Sequence, residues 1–103
     1  MKYNKLVRDR IPEIIQKEGL SLTMHIAADL EYQKKLKEKL QEEVKEFLEK
    51  SNEEELADIL EVIYAFCKLK GINYSKLENI RKEKVKKRGS FEKRIILDET
   101  KEK

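Results

Sequence analysis

Cysteine, histidine and proline each occur once in these 103 residues, glycine three times and tryptophan not at all. Each scarcity excludes something. With Cys67 and His25 alone, neither a disulfide framework nor a Cys/His zinc site can form within one chain. Cys67 ends the apolar run Val62-Ile63-Tyr64-Ala65-Phe66-Cys67 and reads as core rather than nucleophile. No Gly/Ser/Pro-rich linker and no internal repeat interrupts the chain, so a single domain is expected. No run of about 18 apolar residues is present, which predicts no membrane span. The stretch Met1 to Arg10 is polar and basic, which predicts no signal peptide and a cytoplasmic location.

Charge is what the sequence has in abundance. Charged residues make up 44% and apolar residues 39%, with 24 basic and 21 acidic side chains giving a net charge of +3. The signs are mostly mixed, so the total says little about partners. The chain is too apolar and too periodic for disorder, yet too charged for a large self-contained core. A domain of this size buries only about 60–70% of its unfolded surface. These figures predict an all-α protein of long amphipathic helices, completed by further copies of the chain.

Pro12 and Gly19 bracket a short helix. Ser21-Leu22-Thr23-Met24-His25-Ile26 alternates polar and apolar residues, as a short strand would. Leu36, Leu40, Val44, Phe47 and Leu48 form one stripe about 120° wide on a helix from about Leu30 to Lys50, with Asp29 as its expected N-cap. Ser51 and Glu54 have capping-box spacing and reopen a helix that Gly71 should stop near Lys70. Its apolar set (Leu56, Ile59, Leu60, Val62, Ile63, Phe66, Cys67, Leu69) covers about half the circumference, which implies more than one packing neighbour. Ser75 and Glu78 suggest another box, opening a helix that ends near Arg88 and Gly89. Phe91 to Leu97 is β-prone and could pair with residues 21–26 as a two-stranded ribbon lying on the helices.

Four acids stand out: Glu43 and Glu46 before the central turn, Glu55 and Asp58 after it. Each pair is spaced i, i+3 and shares a face. The short turn makes the two long helices antiparallel neighbours. Glu43 is then level with Asp58, and Glu46 with Glu55, so the four carboxylates can form a square. At 100° per residue, Glu55 lies inside the apolar arc and Asp58 just beyond its edge, while Glu43 borders the apolar stripe and Glu46 lies farther round. Acids beside a core are unfavourable without compensation, and like charges repel. A hard cation, Mg²⁺ or Mn²⁺, relieves both problems, since all-oxygen ligands favour such ions over zinc. One acidic pair at this spacing is ordinary on a solvated helix. Glu42, Glu49, Glu53, Glu54 and Glu61 read mainly as such a face.

The stretch Arg81-Lys82-Glu83-Lys84-Val85-Lys86-Lys87-Arg88 carries six positive charges and one negative. On a helix, Lys84, Lys87 and Arg88 share a face suited to phosphate. Lys5, Arg8 and Arg10 form a second basic group. A solvated helix end is the plainer reading of the first run. Nucleic-acid binding is a further one, but no interleaved aromatics supply a stacking surface.

The motif Glu42-Glu43-Val44-Lys45-Glu46, followed by Glu55-Leu56-Ala57-Asp58, resembles the EExxE…ExxD signature of MazG-like pyrophosphohydrolases. These belong to the all-α NTP pyrophosphatase superfamily, with phosphoribosyl-ATP pyrophosphohydrolase. The opening Tyr3-Asn4-Lys5-Leu6-Val7-Arg8-Asp9-Arg10-Ile11-Pro12-Glu13-Ile14-Ile15 and the closing Lys87-Arg88-Gly89-Ser90-Phe91-Glu92-Lys93-Arg94-Ile95-Ile96-Leu97 resemble the two ends of a compact, house-cleaning subgroup. The resemblance spans nearly the whole chain. It implies that Glu43, Glu46, Glu55 and Asp58 hold Mg²⁺, and that water attacks a nucleoside triphosphate at the α–β linkage. Glu46 or Glu42 would accept the proton, and Lys84 and Arg88, with Lys5 and Arg8, would meet phosphate. It implies a helical bundle built from two or more chains, as a homodimer or homotetramer. Two departures stand out: only eight residues separate Glu46 from Glu55, and Lys82 stands nearest to where an Asn often precedes the tail lysine. A non-catalytic helical adaptor and a nucleic-acid-binding module are the alternatives from other classes.

Overall fold

A computed structural model describes residues 2–102. Among these residues there are four helices and no strand: α1 (Ile11–Lys17), α2 (Asp29–Lys50), α3 (Glu53–Lys70) and α4 (Tyr74–Arg88). Pro12 occupies the first turn of α1, where its missing N–H costs no helical bond. The chain then leaves through Gly19 at φ 83°.

The helix ends correct three expected caps. Ala28, not Asp29, precedes α2 and makes no side-chain capping bond. Asp29 lies one residue inside, where its charge meets the positive end of the helix dipole. Ser51 is left-handed (φ 54°), and its N–H donates to Phe47 O at 2.7 Å, closing α2. A residue spent on that turn lacks the extended backbone that an N-cap needs. Asn52 has it (φ −110°, ψ 166°), and its Oδ1 accepts from the Glu55 N–H at 3.3 Å. Asn73 likewise caps α4, accepting from the Lys76 N–H at 2.8 Å. Ser75 therefore falls inside the first turn, and Glu78 pairs with Arg81 instead of closing a box. Gly71 does stop α3 as expected, at φ 68°. Its N–H reaches Lys68 O and the Ile72 N–H reaches Cys67 O, the paired closure of a Schellman motif.

The antiparallel hairpin of α2 and α3 is the packed body. Leu36, at 1% exposure, with Val62 and Cys67, forms the buried apolar set among the described residues. Leu40, Phe47, Ile59, Ile63, Phe66 and Leu69 are half-buried around it. Helix α4 touches α3 lightly, and α1 packs on no other helix among the described residues. The radius of gyration is 18.7 Å, against about 13 Å for a compact domain of 100 residues. Much of both apolar faces is therefore left uncovered: Leu48 is 72% exposed, and Val44, Leu56 and Leu60 are exposed too. Residues 21–26 and 91–97 form no strand and do not pair. Phe91, at 97% exposure, has nothing to lie on among the described residues, and an isolated ribbon is marginal in water.

Among the described residues, Leu36 is the one apolar side chain that is fully enclosed. Leu36→Ala is expected to cost about 2–3 kcal/mol, the lower part of the range for such truncations because so little surrounds it. Urea unfolding followed by helix content checks this, and a loss under about 0.5 kcal/mol, typical of surface substitutions, would show that the hairpin interface does not hold the chain.

Candidate active site

Helices α2 and α3 carry all four signature acids, and the wheel positions explain their depth. Glu43 and Glu55, assigned to or beside the apolar surface, are each 6% exposed. Glu46, assigned farther round, and Asp58, assigned just beyond the edge of the arc, are half-buried. The local fold sets Glu55 by its cap: Asn52 accepts from the Glu55 N–H, which fixes the first turn of α3 with that side chain turned to the interface.

Each buried acid is incompletely partnered. Glu43 Oε1 meets Lys39 Nζ at 3.2 Å. Glu55 Oε1 lies 3.8 Å from Lys50 Nζ, across the turn. The second oxygen of each, Glu43 Oε2 and Glu55 Oε2, is buried with no hydrogen-bond partner. A buried carboxylate oxygen without a donor is destabilising. Two such oxygens lie on the paired helices α2 and α3. Among the described residues, no three acidic, histidine or cysteine side chains are gathered closely enough to hold a metal ion as they stand. The two open oxygens are nevertheless anionic acceptors without a partner, and their chemistry fits a hard cation.

The outer acids are met by the N-terminal segment. Arg8 Nη2 donates to Asp58 Oδ1 at 2.6 Å, and Lys5 Nζ donates to Glu42 Oε1 at 3.1 Å. Lys39 adds a contact to Glu42 at 3.5 Å. Burial pushes the Glu42 carboxyl up, but the Lys5 hydrogen bond and the charge of Lys39 outweigh it and hold it below its ordinary 4.5. The hydrogen bond to Glu42 and that carboxylate's charge hold Lys5 above its ordinary 10.5, and the charges of Glu46 and Glu43 add to the effect. Lys5 thus stands in the field of three carboxylates.

Lys5 and Arg8 are therefore beside the acids, as a phosphate-binding role requires. Lys84 and Arg88 are not: among the described residues neither makes an ion pair or hydrogen bond to the four acids. They line, with Asn73, Lys76, Asn79 and Lys87, an open concavity of about 620 Å³ on α4. Sequence reasoning overlooked Lys39 and Lys50. The first was visible as a lysine three and four residues before Glu42 and Glu43. The second depends on the turn geometry and had no such signal.

Compared with protein-family profiles, curated proteins and solved structures, the chain matches none.

Glu55→Met replaces the less well partnered of the two buried acids with an apolar side chain of similar length. It is expected to stabilise the cation-free chain by about 1–3 kcal/mol, the penalty of an unpaired buried group. Added Mg²⁺ should narrow the gap, because an ion that binds only the folded wild type stabilises it. Thermal melts with and without Mg²⁺ check both arms. A variant less stable than wild type without the cation would overturn this account of Glu55.

Proposed function

We propose that the chain is a Mg²⁺-dependent nucleotide pyrophosphohydrolase of the MazG-like kind. Its reaction is hydrolysis of a nucleoside triphosphate at the α–β linkage to a monophosphate and pyrophosphate, in a house-cleaning role, with Mn²⁺ as an alternative ion. One observation carries the reading: Glu43 and Glu55 each bring a buried, unpartnered carboxylate oxygen to the α2–α3 hairpin. A non-catalytic adaptor, or a module that binds nucleic acid through α4, has no use for two buried acids.

Glu43, Glu46, Glu55 and Asp58 would hold the ion. When bound, Mg²⁺ supplies charge neutralisation for the triphosphate and lowers the pKa of water. The proton from water needs an acceptor. Glu46 suits this better than Glu42, because Glu42 is held by Lys5 and Lys39 and is the weaker base for it. Lys5 and Arg8 would meet phosphate oxygens beside the acids. Lys84 and Arg88 would stabilise the departing pyrophosphate.

The working form on this reading is a homodimer or homotetramer. The exposed leucines of α2 and α3 are the apolar surface that further copies would cover, giving a four-helix-type bundle with close-packed interior faces. Assembly also offers a route by which a basic α4 reaches acids that it does not touch in its own chain.

Glu43→Ala and Asp58→Ala are each expected to reduce Mg²⁺-dependent pyrophosphate release to background while helix content is retained. A panel of canonical and damaged nucleoside triphosphates is the assay, and undiminished turnover in either variant refutes the assignment. Light scattering is expected to give a mass of two or four chains, and a stable monomer at working concentration argues against the bundle.

A further inference from the structure

Residues 2–10 precede α1 and contain no regular secondary structure. They are nevertheless held to the hairpin by three side-chain bonds. Lys35 Nζ of α2 donates to the Asn4 carbonyl at 2.6 Å. Lys5 lies on Glu42 and Arg8 on Asp58. Asp58 is one of the four acids assigned to the cation, and Lys5 feels two more of them, Glu46 and Glu43. The arm therefore sets side-chain cations on one of the four acids and beside two more.

We propose that this N-terminal arm is an exchangeable strap. Lys5 and Arg8 neutralise the acids while no divalent ion is bound, and they pass to the phosphates of the nucleotide when one is. The proposal rests on the pyrophosphohydrolase reading and assigns the arm a regulatory part in it.

The exchange is balanced in charge. Lys5 and Arg8 together carry two positive charges, and so does the ion that replaces them. It is also cheap, because both side chains remain about half exposed, at 46% and 56%, and exposed ion pairs contribute little net stability. Proton loss cannot release Arg8, since a guanidinium does not deprotonate in proteins. At neutral pH a cation that binds Asp58 more strongly is what displaces it. Once free, the same planar donor fork fits two phosphate oxygens better than the single carboxylate oxygen it holds here. The backbone anchor at Asn4 keeps the arm within reach after the side chains let go.

The test uses Mn²⁺ alone as probe, titrated calorimetrically into the metal-free full chain, its Arg8→Ala variant and its Arg10→Ala variant. Arg10 is a charge-matched control, since its guanidinium pairs with Glu13 within its own segment. Arg8→Ala is expected to bind Mn²⁺ about two- to fivefold more tightly, the scale of one exposed ion pair, and Arg10→Ala to be unchanged. Hydrogen exchange at amides 5–9 of the wild type should speed up when Mn²⁺ is added. Equal Mn²⁺ affinity in all three chains, with exchange in the arm unaltered, overturns the strap and leaves the metal site standing. An equal gain in both arginine variants also overturns it, as a general field effect. No Mn²⁺ binding by any of the three overturns the strap and the pyrophosphohydrolase reading together.

Discussion

Two carboxylates buried at one helix–helix interface, each with an oxygen that nothing reaches, are the constraint on which the rest of this structure turns. Glu43 and Glu55 are enclosed as thoroughly as the apolar side chains beside them. A hairpin selected only for stability would place apolar residues there, because a buried acid with a missing donor opposes folding. The surrounding lysines lessen that cost without removing it. Lys39 pairs with one oxygen of Glu43, Lys50 stands 3.8 Å from one oxygen of Glu55, and the second oxygen of each acid remains open. Burial of this kind separates Glu43 and Glu55 from the solvated acidic face of Glu49, Glu53, Glu54 and Glu61.

The second constraint is the shortage of core. Leu36, Val62 and Cys67 are few side chains to hold helices as long as α2 and α3 together. The apolar arc of α3 is wide enough for more than one neighbour, yet α2 covers one side of it and α4 only brushes another. The two deficits meet at the same helices. Leu56 sits one residue after Glu55, and Leu48 two residues after Glu46, and both leucines are exposed. A surface that covered them would also shut bulk water away from the acids, strengthening every charge interaction inside. Packing and electrostatics thus ask for the same thing.

Periodicity made most of this legible in the sequence. The boundaries of α2, α3 and α4, and the ranking of the acids by depth, follow from 100° per residue and a glycine or short polar turn at each break. What periodicity does not contain is the choice between adjacent polar residues at a helix end. Ser51 and Asn52 are both good capping residues. The left-handed turn fell on Ser51 because the chain had to reverse there, and the cap passed to Asn52. The same displacement, from Ser75 to Asn73, occurs at α4. Residues 21–26 and 91–97, which carry strand signals, are not strands in the single chain: alternation specifies which face would be buried, but not that anything is present to bury it. The contact of Arg8 with Asp58, fifty residues apart, belongs to tertiary structure and has no signature in local spacing.

The division of labour among the acids follows from their partners rather than from their order in the motif. Glu42 and Glu43 are adjacent in sequence and share Lys39, but a helix turns successive side chains 100° apart. Glu43 is carried into the interface and Glu42 outward, where Lys5 also finds it. A carboxylate bonded to two ammonium groups is pinned in its charged form and has little drive to take a proton. Glu46 lies one turn beyond Glu42 on the same side, half-buried, and feels Lys5 through space without a direct bond. A sequence motif that lists three glutamates thus resolves into three environments: one in the interior, one tethered by lysines, and one half-buried without a direct ion pair among the described residues.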